Sequence, residues 1–540
     1  MPVAARAPAA ATARAVPGLL VLLAPALGVA LALVAAWLIV DPHTPDLAAQ
    51  VYRVGLFRQL GLAVWDDNWY AGHHLPGYSL LFPPLGTLIG VRAVGALCVP
   101  VSTALFGLLV ADEYGRGTRW GAIAFALAAA GDVWLGRLAF ALGVSVALGA
   151  ALAMRRGHPL AAGALAALAA AASPVAGVLL GLAALTVAIA QRSPRALLVL
   201  AAPAALVVVP LAALFPEGGW EPFPILSFLA TAGAIAVFAL ALPRRERVLR
   251  LGALVYLAAC VLCLVVHSPV GSNIERYGVL LGAPLLLCAL LRGGRPAVGP
   301  RGMFAGALAL AAIFTWVLWG PVRETAAVAG SPATSAAYYR PLERFLASVG
   351  GPVRIEVPLT RSHWEAAMLA PRIALARGWE KQLDTRYDRV LFGAGLNASS
   401  YREWLDREGI SYVAVPDVTP DPSSVTENRL IDSGLSYLRP VFASRDWRVY
   451  RVAGAKPLAS GAGRLTELGH DTFAVRADAA GPILVRVHFS RYWTVTAGTA
   501  CVGRGPEGFT DVRAAAPGVI RVAARFSFAR AFGSGPSCRR

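Results

Sequence analysis

Carboxylates, imidazoles and aromatic rings crowd one segment of this 540-residue chain, residues 41–90. Asp46, Asp66 and Asp67 lie there with Trp69, Tyr70, His73, His74 and Tyr78. Such side chains transfer protons and, in suitable geometry, hold metal ions. Each has a plainer reading as well. Thr44-Pro45-Asp46 starts a helix, with threonine as cap and proline in the first turn. A carboxylate there is stabilised by the helix dipole without doing chemistry. Asp66 and Asp67 precede Asn68 and read either as turn residues or as a second catalytic or metal-binding place. His73 and His74 are adjacent and cannot easily share one ion, so hydrogen bonding within the loop competes with ligation.

The elements that must position these residues follow from periodicity. After Asp46, Leu47, Val51, Val54, Phe57, Leu60 and Val64 recur at steps of three and four, with Gln50, Arg53, Arg58 and Gln59 opposite. This predicts a helix lying in a membrane interface, apolar face in lipid and polar face toward water. Asp46 then sits where the membrane surface meets the outer space. The composition agrees: 57% of residues are apolar and 15% charged, too few charges for a wholly soluble protein and too much apolar surface for disorder. Read with a ruler of about 20 apolar residues per span, residues 1–320 give eleven spans, near 17–40, 92–112, 119–133, 136–154, 158–172, 175–191, 195–216, 224–242, 248–267, 276–292 and 303–320.

Arginine orients them. With a cytoplasmic N-terminus, Arg6, Arg14 and the clusters at Arg155–Arg156 and Arg244–Arg250 fall inside, and only five of the twenty arginines of residues 1–320 fall outside. The odd span count then puts residues 321–540 outside the cytoplasm of a plasma-membrane protein. The net charge of +18 divides evenly between the two halves with no basic run to track phosphates, which argues against nucleic acid as a partner. Domain boundaries follow: 1–320 transmembrane, with its first external loop at 41–90; 321–455 an extracytoplasmic α/β domain; 456–540 an extracytoplasmic β-sandwich. Strands are expected at Val353–Pro358, Ile410–Pro416 and Trp447–Val452, and helices over 362–377 and Ser400–Glu408. Short strands from Phe473 onward make the sandwich. Cys501 and Cys538 lie in the oxidising compartment and are a candidate disulfide.

A long first external loop that opens with an acid just after the first span and continues into an interfacial helix resembles the GT-C superfamily of polytopic membrane glycosyltransferases. Tyr78–Leu85 (YSLLFPPL) is similar to the aromatic and proline segment that follows that loop in many members. YREWLDREGISYVAVPD, with LSYLRPVFASRDWRVYRV after it, resembles the external region of uncharacterised actinobacterial and YfhO-like relatives. The sequence departs from the superfamily in lacking an acidic pair directly after the first span, having Asp41 and Asp46 instead. It also lacks a Trp-Trp-Asp signature. Both departures leave dependence on a divalent metal open.

The resemblance implies inverting transfer of a sugar from a polyprenyl-phosphate donor to a hydroxyl of a cell-envelope glycan or glycolipid. Asp46 is then the general base, with Asp66 and Asp67 as alternates, and Tyr70, His73, His74 and Tyr78 line the acceptor loop. The departing phosphate needs a cation, and a guanidinium gives it two parallel bonds. Arg276, in GSNIERY at an outer span end, runs against the positive-inside trend and is the first candidate; Arg137 is the second. Their competing readings are surface pairing with Glu275 or Glu217 and snorkelling to the interface. A non-catalytic scaffold, or a lipid or sugar transporter of envelope biogenesis, is the alternative to an enzyme. The spans are nearly free of charge and show no repeat, which counts against a transporter.

Overall fold

The computed structural model describes residues 16–532 and Cys538; Arg6 and Arg14, used above for orientation, lie outside the described residues. Eleven apolar helices follow the eleven predicted spans. They are α1 (Val16–Val40), then, after the loop helices α2 (Pro45–Leu60) and α3 (Phe82–Ile89), α4 (Val91–Tyr114), α5 (Thr118–Trp134), α6 (Leu138–Arg155), α7 (Pro159–Ala172), α8 (Pro174–Gln191), α9 (Ala202–Leu214), α10 (Ile225–Ala241), α11 (Arg247–Val265), α12 (Glu275–Leu290) and α13 (Pro300–Val328). Among the described residues eight stretches are long and apolar enough to cross a bilayer. One of them, Val91–Trp134, contains both α4 and α5; α7 and α10 are shorter apolar helices. The chain is a multi-pass membrane protein. Leu31, Leu160, Leu206, Leu240, Val265 and Phe304 face outward from the bundle, each more than half exposed, a surface suited to lipid and costly in water. Inside, close packing rests on small residues: Ala162, Ala166 and Ala169 form a fully buried stripe on α7.

The first loop departs from its expected setting. Helix α2 forms where the pattern placed it, but only the end of its polar side, Arg58 and Gln59, is exposed. Gln50 and Arg53 are buried together with Leu47, Tyr52, Val54 and Leu56, because the region after α13 folds down over the loop. The loop itself closes with a two-residue ladder, β1 (Trp65–Asp66) antiparallel to β2 (His73–His74). Amphipathicity alone could not distinguish water from a polar protein surface on the outer side of α2.

Beyond α13 the chain forms two β-rich bodies at the same end of the bundle as the first loop. The first is a five-stranded sheet in the order β4-β3-β5-β7-β6, made of β3 (Arg354–Glu356), β4 (Ala374–Leu375), β5 (Ile410–Pro416), β6 (Leu438–Ala443) and β7 (Trp447–Val452). Strand β3 is parallel to β4 and β5, and the β5-β7-β6 part is antiparallel. The expected helix over 362–377 is corrected: only Glu365–Met368 is helical, and the chain then turns into β4. Pro371 cannot continue a helix, and the carbonyls of Ala366 and Ala370 accept hydrogen bonds from Trp69 and Asn68 of the first loop. The helix Ala398–Glu408 is capped by Asn397 through a reciprocal bond with Ser400 and ends at Gly409. The second body is built from β8 (Ala459–Gly461), β9 (Gly463–Leu468), β10 (Thr472–Ala477), β11 (Gly481–His488), β12 (Trp493–Ala497), β13 (Ala500–Arg504), β14 (Phe509–Ala514) and β15 (Gly518–Ala524), which form a sandwich of two four-stranded sheets in the orders β12-β15-β10-β9 and β13-β14-β11-β8. Cys501 and Cys538 are disulfide-bonded, with Cα atoms 5.2 Å apart, joining the tail to a sandwich edge strand.

Candidate active site

Asp46 stands where three elements meet. Thr44 begins α2 with an extended backbone, but its hydroxyl does not cap the helix; it donates to the carbonyl of Trp134 at 3.0 Å and ties α2 to the end of α5. The turn from α5 to α6 lies directly against that first turn. It passes through Gly136, at φ 83°, where a Cβ would sit 2.3 Å from the Leu47 nitrogen. Only glycine permits both the left-handed backbone and the close approach. Arg137 follows at once, and its Nε donates to Asp46 Oδ2 at 3.1 Å while Nη1 lies 3.8 Å from Asp132 Oδ1. The other carboxylate oxygen, Oδ1, accepts from the indole Nε1 of Trp379 at 3.1 Å.

Arg276 opens α12 at the same place. Its guanidinium lies 5.0 Å from the Phe140 ring centre, and its Nε is buried without a hydrogen-bond partner among the described residues. Arg137, Asp46, Asp132 and Tyr78 are the charged and titratable groups acting most strongly on it. Glu221 faces the cluster from the segment between α9 and α10 and accepts from Ser272 Oγ at 3.0 Å. Burial raises its carboxyl to about 7, although Ser272, Arg276 and Lys381 pull the other way. An apolar cavity of about 450 Å³ runs between the spans from Tyr277, next to Arg276 in the chain, past Tyr256, Phe238, Leu179 and Phe106 to Tyr114 and Arg155; Asp46, Arg137 and Arg276 themselves do not line it.

The remaining sequence candidates lie in the body of the loop. Asp66 is fully buried and accepts from Tyr52 Oη at 2.7 Å and His470 Nδ1 at 2.9 Å. Burial works against the charge on His470, but the bond to Asp66 prevails and holds its pKa above the usual range. Asp67 accepts from Trp65 Nε1 at 2.6 Å, and burial raises its carboxyl well above the ordinary value. His73 pairs through Nδ1 with the Asp66 carbonyl at 3.2 Å. His74 lies between Glu217, at 2.7 Å, and Ser490, at 3.2 Å. The two imidazoles thus engage different partners, and no group of three or more His, Cys, Asp or Glu among the described residues is placed to hold a metal. Tyr70 donates to Asp384 Oδ1 at 3.0 Å. Tyr78 accepts from Gln50 and lies beneath the Arg53 guanidinium, 3.9 Å from its ring centre. The structure therefore brings Asp46, Arg137 and Arg276 together near Tyr78, while Asp66 and His74 tie the loop to the sandwich and Asp67 and His73 bond within the loop. Asp41 pairs with Arg92 instead.

Sequence reasoning singled out neither Trp379, Glu221 nor Asp132 as site residues. Asp132 carried a usable signal, an acid in an apolar span five residues before Arg137. Trp379 carried none, being 333 residues from its partner.

No protein-family model matches the chain, and no curated protein matches it. Solved structures do. Cryo-EM structures of the arabinofuranosyltransferase AftD from Mycobacteria match it at low identity. One is 16% identical over 94% of this chain and 57% of that chain, with a TM-score of 0.46. Two classes of a point mutant of the same protein give 18% identity over 85% of this chain and 43% of that chain (TM-score 0.45), and 20% over 82% and 41% (TM-score 0.39). The chain spans about half the length of the solved structures it matches.

Proposed function

We propose that the chain is a GT-C-type membrane glycosyltransferase. It transfers a sugar from a polyprenyl-phosphate donor to a hydroxyl of a cell-envelope glycan or glycolipid, at the outer face of the plasma membrane, with Asp46 as general base. One observation carries the reading. A partly exposed carboxylate is held between two fixed donors, near a second guanidinium with an unpartnered nitrogen, and the residue after that arginine, Tyr277, lines an apolar cavity between spans. The parts suit one displacement. The acceptor hydroxyl gives its proton to Asp46 as its oxygen attacks the anomeric carbon, and the bond from that carbon to the phosphate oxygen breaks with its electron pair leaving on the phosphate. Arg276 receives the departing charge, with Arg137 fixing the base. The apolar cavity suits a prenyl chain, which must stay in a hydrocarbon environment while its phosphate reaches the polar cluster. The arginine distribution supports the outer orientation.

Asp66 and Asp67 fit the base role less well, since both are fully buried and hydrogen-bonded within the loop. The test is genetic. Cells lacking the endogenous protein and expressing the Asp46→Asn variant are expected to show the envelope glycan composition of the deletion strain. Normal composition, with the variant present in the membrane, would favour the scaffold.

A further inference from the structure

We infer that Trp379, contributed by the domain after α13, is a positioning residue for Asp46, and that His363, stacked on its indole and hydrogen-bonded to Asp421, holds it in place. The inference rests on the proposed role of Asp46 and deepens it, because it makes the soluble domain part of the transfer site.

The indole has a single polar atom, a donor, and here that donor points at Asp46 Oδ1 from 3.1 Å while Arg137 takes Oδ2. A carboxylate with one donor on each oxygen, from two bodies that cannot rotate together, has no freedom about its terminal torsion. The lone pairs left on its oxygens then keep one direction toward an incoming hydroxyl. Without Trp379, Asp46 would be held from one side only, by Arg137, and its other oxygen could turn away from the incoming hydroxyl.

The surroundings of Trp379 fix it in turn. Its indole stacks on the His363 ring, with centroids 3.6 Å apart and planes 23° from parallel. His363 is fully buried and adopts φ 55°, a left-handed backbone that a non-glycine residue keeps only where its neighbours over-determine it. Its Nε2 lies 3.3 Å from Asp421 Oδ2, and Asp421 Oδ1 accepts from both the nitrogen and the hydroxyl of Ser423. On the other side, Gly378 lies so close to the first loop that a Cβ would fall 2.3 Å from the Trp69 ring. Further links join the same segment to the loop: Arg53 to Glu380 at 2.5 Å, Tyr70 to Asp384, and Trp364 to the His43 carbonyl at 2.9 Å. Docking alone would be served by those contacts. The indole N–H on the carboxylate is the one that reaches the proposed chemistry.

Trp379→Phe leaves an aromatic ring beside His363 but deletes the donor. Full-length protein in lipid nanodiscs, assayed by release of farnesyl phosphate from a panel of farnesyl-phosphate pentosides and hexosides with a disaccharide acceptor, should lose about tenfold in kcat, the size of one hydrogen bond to a charged group. The donor KM and the thermal midpoint should stay within twofold and 2 °C, roughly the scatter of a surface substitution. As a second measurement, the Trp379 indole resonance in ¹⁵N-tryptophan spectra, assigned by its loss in Trp379→Phe, should shift in Asp46→Asn. An unchanged kcat in Trp379→Phe overturns the inference, as does an indole resonance indifferent to Asp46. If Asp46→Asn itself transfers sugar at the normal rate, the reading of the base fails and the inference with it; if only Trp379→Phe does, the base stands and the positioning role falls.

Discussion

At the residue scale the account turns on how each carboxylate is held. Asp46 has a fixed donor on each oxygen and partial exposure; Asp66 and Asp67 have donors and no exposure. The sequence contained all three, and only the partners separate them. The partners come from 91 and 333 residues away, distances over which spacing carries no signal. Glu221 shows the same limit, since its raised carboxyl depends on burial against the segment between α11 and α12, where its partner Ser272 lies 51 residues away. It also gives a pH prediction. Its folded-state value of about 7 lies above the ordinary 4.5, so the folded chain keeps a proton that the unfolded chain loses. Stability linked to this group is complete below about pH 4.5 and falls as pH rises to about 7. Glu221→Gln should remove that slope and raise stability at pH 8 by about 1–2 kcal/mol, allowing for screening at a half-buried site. Denaturation in detergent at pH 5 and pH 8 checks it; an equal shift at both pH values would contradict the linkage.

At the scale of elements, the site depends on a turn and a helix start meeting closely. The α5–α6 turn can approach α2 only because position 136 has no side chain, and Arg137 is aimed by that same turn. Gly136→Ala must either strain a left-handed alanine or push α2 away, so it should cost about 1–3 kcal/mol and reduce transfer by more than its effect on stability implies. Thermal unfolding together with transfer rate measures both, and a variant of normal stability and rate would mean that the turn does not set the geometry. The spans were legible because apolar length is a one-dimensional property, and Trp447–Val452 and Ile410–Pro416 were legible from β-branched and aromatic runs. The helix expected over 362–377 was not legible as the turn it is. Its backbone carbonyls serve the first loop, a demand set by tertiary packing.

At the scale of the whole molecule, the first loop and the ends of the membrane helices supply Asp46, Arg137 and Arg276, while the region after α13 closes over them. The first loop is the joint, with hydrogen bonds to both β-rich bodies through Asn68, Trp69, Tyr70 and Asp66. This arrangement requires the loop and residues 321–540 to share one side of the membrane, and the arginine bias predicts that it is the outer side. A single cysteine placed at exposed Arg439 or Arg476, in a chain whose four free cysteines are replaced by alanine, should react with a membrane-impermeant maleimide in intact cells. One placed at Arg156 should react only after lysis. The reverse pattern would put the proposed transfer on the cytoplasmic face.

The central claim, that Asp46 takes the acceptor proton in a sugar transfer, is tested most directly by single-turnover transfer in nanodiscs, comparing the native chain with Asp46→Asn at matched donor occupancy. Asparagine keeps the size of the side chain and leaves Arg276 in place, so donor binding should persist while the transfer step slows by about 10²–10⁴-fold. Transfer at the native rate by Asp46→Asn, with donor bound, would contradict the account.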